Sequence, residues 1–238
     1  MKKHFLLLST ITTLAFAICG CDSNSSDNSN TDKSEPTTTE ATTEVTTENP
    51  HISEQYMEPT RGTVENGVYT NESIKISFPI QEDWHVCSDE EVAEIIGYTT
   101  ENIEETTKIS VEQFEEATAG TVYDIVFYTS DIESNVNIVF MDLDKTGKYA
   151  TLPVDDYAEL SASQLKSMSN VNYTIGEINH ETYGGDDYVC INAETDQGYN
   201  QKLLIKKENG QMVCITLTFL PESESEMQSF LDSFTEVQ

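Results

Sequence analysis

Two residues apart, His85 and Cys87 are the pair in this chain best placed for nucleophilic chemistry. At that spacing on a strand both side chains project to one side, and Cys87 immediately precedes a predicted helix N-terminus whose dipole favours a thiolate. The chemistry would be that of a thiol hydrolase, with cysteine as nucleophile and histidine as its base. Two features weigh against it. Asp89, Glu90 and Glu91 follow in the first helical turn and disfavour a thiolate, and side chains on one strand run parallel rather than converging. The spacing therefore predicts a half-buried structural thiol and a non-catalytic chain.

The other cysteines of the folded region are Cys190 and Cys214. An Asn209-Gly210 turn sets Cys214 opposite Ile205, and a loop over Thr195–Asn200 is expected to bring Cys190 to the other side of Ile205. Residues on strands separated by a third lie roughly 10 Å apart, beyond disulfide reach, so both are expected to be reduced, buried thiols. Asp142-Leu143-Asp144-Lys145-Thr146-Gly147 resembles the first half of a calcium loop, with Asp142, Asp144 and Thr146 as its candidate ligands. The twelfth position, where such a loop needs a bidentate Glu, is Pro153, so the expectation is no cofactor and calcium only as a weak alternative. There is no Cys-x-x-Cys pair, Gly-rich phosphate loop or Gly-x-Ser-x-Gly elbow. Trp84 and the tyrosines could line a ligand cleft, but strand propensity and core packing account for aromatics at such positions.

Short strands must position these groups. Gly67–Thr70 and Ser73–Phe78, joined by Asn71-Glu72, open the domain, and Ile74, Ile76 and Phe78 alternate with polar residues until Pro79. Trp84–Cys87 is extended. Ser88 and Glu91 have capping-box spacing ahead of a helix carrying Val92, Ile95 and Ile96 and ending at Gly97. A second helix carries Val111, Phe114 and Ala117. Strands follow over Thr121–Thr129 and Val136–Leu143, then a helix from Pro153 whose Tyr157, Leu160, Gln164, Leu165 and Met168 recur at helical spacing. A meander of Tyr173–Ile178, Asp187–Glu194, Gln201–Lys207 and Gln211–Phe219 precedes a final helix that begins at Pro221 and buries Met227, Phe230, Leu231 and Phe234. The expected class is α+β, a mainly antiparallel sheet flanked by helices.

The N-terminus reads as an export signal. Lys2 and Lys3 precede an apolar run from Phe5 to Ile18, too short to span a bilayer, and then Cys19-Gly20-Cys21. Gly20 before Cys21 resembles a bacterial lipobox, so residues 1–20 are expected to be removed and Cys21 to carry the lipid. The protein would sit on the outer face of the cell membrane. Residues 21–60 are rich in Thr, Ser and Glu with a repeated Thr-Thr-Glu-x unit, a composition that cannot offset chain entropy. As a flexible coil they would span roughly 35 Å root-mean-square. Residues 61–238 suffice for a single domain.

The chain has 12 Lys and Arg against 43 Asp and Glu, a formal net charge of −31. A surface of that sign repels phosphate backbones, which excludes nucleic acid as a partner. It leaves an envelope or surface protein, a divalent metal or a small ligand.

Val68-Tyr69-Thr70-Asn71, Ile76-Ser77-Phe78-Pro79 and Trp84 before a capped helix resemble the opening of PsbP-like or Mog1-like domains. Ile215-Thr216-Leu217-Thr218-Phe219 and the Phe230/Phe234 helix resemble their ending. With the tether, the chain is similar to Thr-tethered lipoproteins of Firmicutes. The resemblance implies a binding or assembly-supporting domain rather than an enzyme, and assigns no functional residue.

Overall fold

The computed structural model describes residues 60–107, 110–118, 120–130, 133–142, 151–169 and 171–237. In chain order these form β1 (Thr63–Glu65), β2 (Val68–Asn71), β3 (Ile76–Pro79), β4 (His85–Val86), α1 (Asp89–Thr107), α2 (Val111–Thr118), β5 (Thr121–Tyr128) and β6 (Asn135–Asp142). Then come α3 (Val154–Ser167), β7 (Tyr173–Tyr183), β8 (Asp186–Thr195), β9 (Asn200–Glu208), β10 (Gln211–Phe219), α4 (Glu224–Asp232) and β11 (Thr235–Glu236). The class is α+β. All strand pairs are antiparallel and fall into two sheets, β1-β2-β3-β11 and β4-β5-β6-β10-β9-β8-β7.

The large sheet is the middle layer, and every residue of β6 and of β10 is buried. Successive side chains of a strand point to opposite faces. On one face Val213, Ile215, Leu217 and Phe219 share a core with the small sheet and α4. On the other, Met212 and Cys214 share a core with Tyr157, Ala158, Ala162 and Leu165 of α3. The helix-side row then turns polar. Asn137 Nδ2 donates to the Thr216 carbonyl at 3.3 Å, and Gln201 Nε2 to Thr218 Oγ1 at 3.0 Å.

Phe78 of the small sheet is the hub of the first core. Its ring centroid lies 4.6 Å from Tyr69, 5.0 Å from Phe230, 5.2 Å from Phe234 and 5.9 Å from Phe127. Such ring pairs add about 0.5–1.5 kcal/mol each beyond the area they bury. Trp84 stacks on Phe127 at 5.0 Å and donates its indole N–H to Glu226 Oε1 of α4 at 3.1 Å.

A β-bulge in β5 locks the layers together. Tyr123 pairs with Val139 and Ile125 with Ile138, which leaves Asp124 as the extra residue. Its buried carboxylate accepts from Gly62 N at 2.7 Å, from Asn71 Nδ2 at 2.7 Å and from the Tyr69 hydroxyl. Its carbonyl accepts from Arg61 Nε at 3.0 Å and Nη2 at 2.8 Å. Gly62 is required by close approach: a Cβ there would lie 2.5 Å from Tyr69 Cε2 and 2.8 Å from the Thr70 carbonyl oxygen.

Several expectations are corrected. The first helix runs through Gly97 to Thr107; position 97 is exposed, and the Thr99 and Thr100 hydroxyls bond back to the Ile95 and Ile96 carbonyls, so the turn continues. The β2–β3 connection is longer than Asn71-Glu72, because Asn71 Oδ1 accepts from Ser73 N and Ile74 N and holds a turn through Lys75, at φ 53°. The short strands β1 and β11 add to the expected set; each has only two or three residues and no apolar alternation to signal it. The Asn209-Gly210 hairpin forms as expected, with φ of 48° and 78°.

Leaving a buried donor unpaired costs about 1–3 kcal/mol. Asp124→Ala should therefore lower the unfolding free energy by about 3 kcal/mol or more, measured by urea denaturation; a loss below about 1 kcal/mol would mean that the bulge holds without its carboxylate. Burial, foremost, holds the Asp124 carboxyl above its ordinary range, although Tyr69, Gly62 and Asn71 pull it back. The folded state thus keeps that proton to higher pH than the unfolded chain, so stability contributed by this group should fall as pH rises between the two values. Asp124→Asn should remove that slope.

Candidate functional site

β4 has two residues, and its ladder to β5 (His85 opposite Tyr128) is extended by Cys87 N, which donates to the Val126 carbonyl at 2.8 Å. The chain then turns into α1 through the predicted capping box. Ser88 N donates to Glu91 Oε2 at 2.8 Å and Glu91 N to Ser88 Oγ at 3.3 Å. That box aims Glu91 back at the strand, where His85 Nε2 lies 3.0 and 3.1 Å from its two oxygens. The His85 ring packs on Tyr128 at 4.7 Å. As a result the ligand-capable atoms of His85, Cys87 and Glu91 all lie within 4.8 Å of one another.

This convergence corrects the expectation of parallel side chains. Cys87 lies beyond the end of β4, and the third member comes from the helix; Glu91 was legible as a cap but not as a partner of His85. Cys87 is buried rather than half-buried. Burial, and after it the negative charge of Glu91, pushes its thiol up to about 12. Glu91 is held below its ordinary carboxylate value, chiefly by the Ser88 backbone N–H and then by His85. A protonated thiol beside a carboxylate is a poor nucleophile. It is also one member of a mixed N, S and O donor set.

Other candidates separate. Cys190 lies opposite Leu204, not beside Ile205, because five residues (195–199) intervene between the paired Glu194 and Asn200, and Thr195 N bonds to the Tyr199 carbonyl. That one-residue difference places Cys190 in the core under the small sheet and Cys214 in the core under α3, both as free, buried thiols. Asp142 is the buried last residue of β6, while Asp144, Thr146 and Leu143 lie outside the described residues, as do Cys21 and residues 1–59. His180 is on β7, 2.9 Å from Asp155, beside a hollow of about 300 Å³ whose Lys206 is already paired with Asp186.

No family model and no curated protein matches the chain. Among solved structures it is similar to the PsbP protein (CyanoP) of the cyanobacterium Synechocystis, at 12% identity and a TM-score of 0.44 over 79% of this chain and 99% of that one. It is also similar to LpqN of Mycobacterium tuberculosis, described as involved in cell envelope biogenesis. There the identity is 9% and the TM-score 0.38, over 68% of this chain and 83% of the other.

Cys87 in the folded protein should react with iodoacetamide at pH 8 roughly a thousandfold more slowly than a free cysteine. Reaction at the free rate, read by mass spectrometry of the tryptic peptide, would contradict the protonated thiol. Glu91→Ala should lose stability at neutral pH, where the depressed carboxyl is ionised in both states. Wild type and variant should converge as pH falls through the folded value of Glu91, because that is where its contribution vanishes.

Proposed function

We propose that the chain is a lipid-anchored protein of the outer face of the cell membrane, whose α+β domain works by binding and not by catalysis. The observation that carries the reading is Gly20-Cys21 after a basic start and a short apolar run. Among the described residues no helix is long and apolar enough to cross a membrane. Residues 21–60 serve as the tether and residues 61–238 as the single binding domain. Binding is preferred to thiol hydrolysis because the Cys87 thiol, within 4.8 Å of the His85 ring nitrogen, is pushed up by burial and by Glu91 and so is held in its protonated form. The acidic surface suits a partner protein of the envelope that presents positive charge, or a cation.

Replacing Cys21 with Ser should release the protein from the membrane fraction into the medium and abolish incorporation of radiolabelled palmitate. Unchanged membrane association in that variant would overturn the anchor. Cross-linking on intact cells should then give a discrete adduct with the wild type.

A further inference from the structure

We infer that His85 Nε2, Cys87 Sγ and Glu91 form a site for one divalent transition-metal ion of the zinc class, with a fourth coordination position open to solvent. The donor set selects the metal. An imidazole, a thiol and a carboxylate together suit zinc, which accepts N, S and O ligands, and not the hard ions Ca²⁺ and Mg²⁺, which take oxygen. Within the described residues this is the group of three His, Cys, Asp or Glu side chains whose ligand atoms converge, to within 4.8 Å.

Zinc–ligand bonds of about 2.0–2.3 Å place ligand atoms roughly 3.3–3.7 Å apart in a tetrahedron. His85 Nε2 and the Glu91 oxygens, at 3.0 and 3.1 Å, need to open by only a few tenths of an ångström about the ion, while separations in the set that reach up to 4.8 Å must close by about 1 Å. His85 and Glu91 are exposed side chains that can make this adjustment, at 46% and 42%. Cys87 is held by its backbone bond to Val126 and forms the floor. On the outer side nothing in the donor set completes the tetrahedron, which is the pattern of three protein ligands and a water.

The surroundings also fit. A helix N-terminus repels a cation, but with Asp89 paired to Arg61 the first turn of α1 still carries Glu90 and Glu91, whose negative charge offsets that repulsion. The Ser88 N–H on Glu91 Oε2 orients that carboxylate as outer partners of metal ligands do. On binding, the thiol gives up its proton to solvent and the sulfur-to-metal bond forms, with no oxidation or reduction.

This assignment gives the binding reading a ligand class, and it rests on that reading only for its biological use. Co²⁺ serves as the spectroscopic probe, with the full chain carrying Cys19→Ser and Cys21→Ser so that its remaining thiols are those of the folded domain. The expected result is saturation at one Co²⁺ per chain, a sulfur-to-cobalt charge-transfer band in the near ultraviolet, and displacement by Zn²⁺. Cys87→Ser should abolish the band, and His85→Ala, at an exposed position, should weaken Co²⁺ binding by about tenfold or more. No charge-transfer band, or a band that survives Cys87→Ser, overturns the site. Either failure leaves the Cys21 anchor standing, since fractionation of the Cys21→Ser chain tests that separately.

Discussion

A single extra residue in β5 decides how the two sheets are held together. Without the bulge, β5 would alternate evenly and its side chains would keep one parity from Thr121 to Tyr128. With it, Tyr123 packs toward the helix side while Ile125 and Phe127 pack toward the small sheet. Asp124, freed from the ladder, gathers the chain at residues 61–71 through its carboxylate and carbonyl. A buried carboxylate is costly unless its acceptors are filled. Here backbone, hydroxyl and amide donors fill them from a segment more than fifty residues away, so bulge and small sheet require one another.

The same arrangement reaches the candidate site. Arg61 bonds to the Asp124 carbonyl and also pairs with Asp89 in the first turn of α1. The helix start is thereby fixed relative to β5, and β5 in turn carries Cys87 through Val126 and His85 through Tyr128. The capping box finishes the construction, because the geometry that satisfies the Ser88 N–H also presents the Glu91 carboxylate to His85. A local rule of helix initiation thus becomes the means of assembling three donors from a strand, a helix and the turn between them.

Periodicity and turn chemistry made most of the large sheet legible. Gln211–Phe219, the Asn209-Gly210 turn and the stripe of α3 were readable because each is dictated by residues within a few positions. What escaped has long-range causes. No local pattern says that Asp124 is a bulge, since its donors come from residues 61–71. The strands β1 and β11 are too short for periodicity and exist because β2 and β3 offer them ladders. The Cys190 register turned on whether six or five residues close the β8–β9 loop, a distinction that flips a whole strand face. His85 and Cys87 were visible, whereas Glu91 was seen only as a cap; its second role depends on the sharp turn between β4 and α1.

The outermost strands of the large sheet have very different lengths. β4 offers two residues and gives way at once to a helix; β7 runs for eleven, but its register breaks between Ile175 and Ile178, and Glu177, His180 and Glu181 line it. A strand from another molecule would find too little backbone at one border and a kinked, charged one at the other. Among the described residues, both borders of the large sheet therefore resist growth by strand addition, which leaves the short, exposed β1 and β11 of the small sheet as the borders where another backbone could pair.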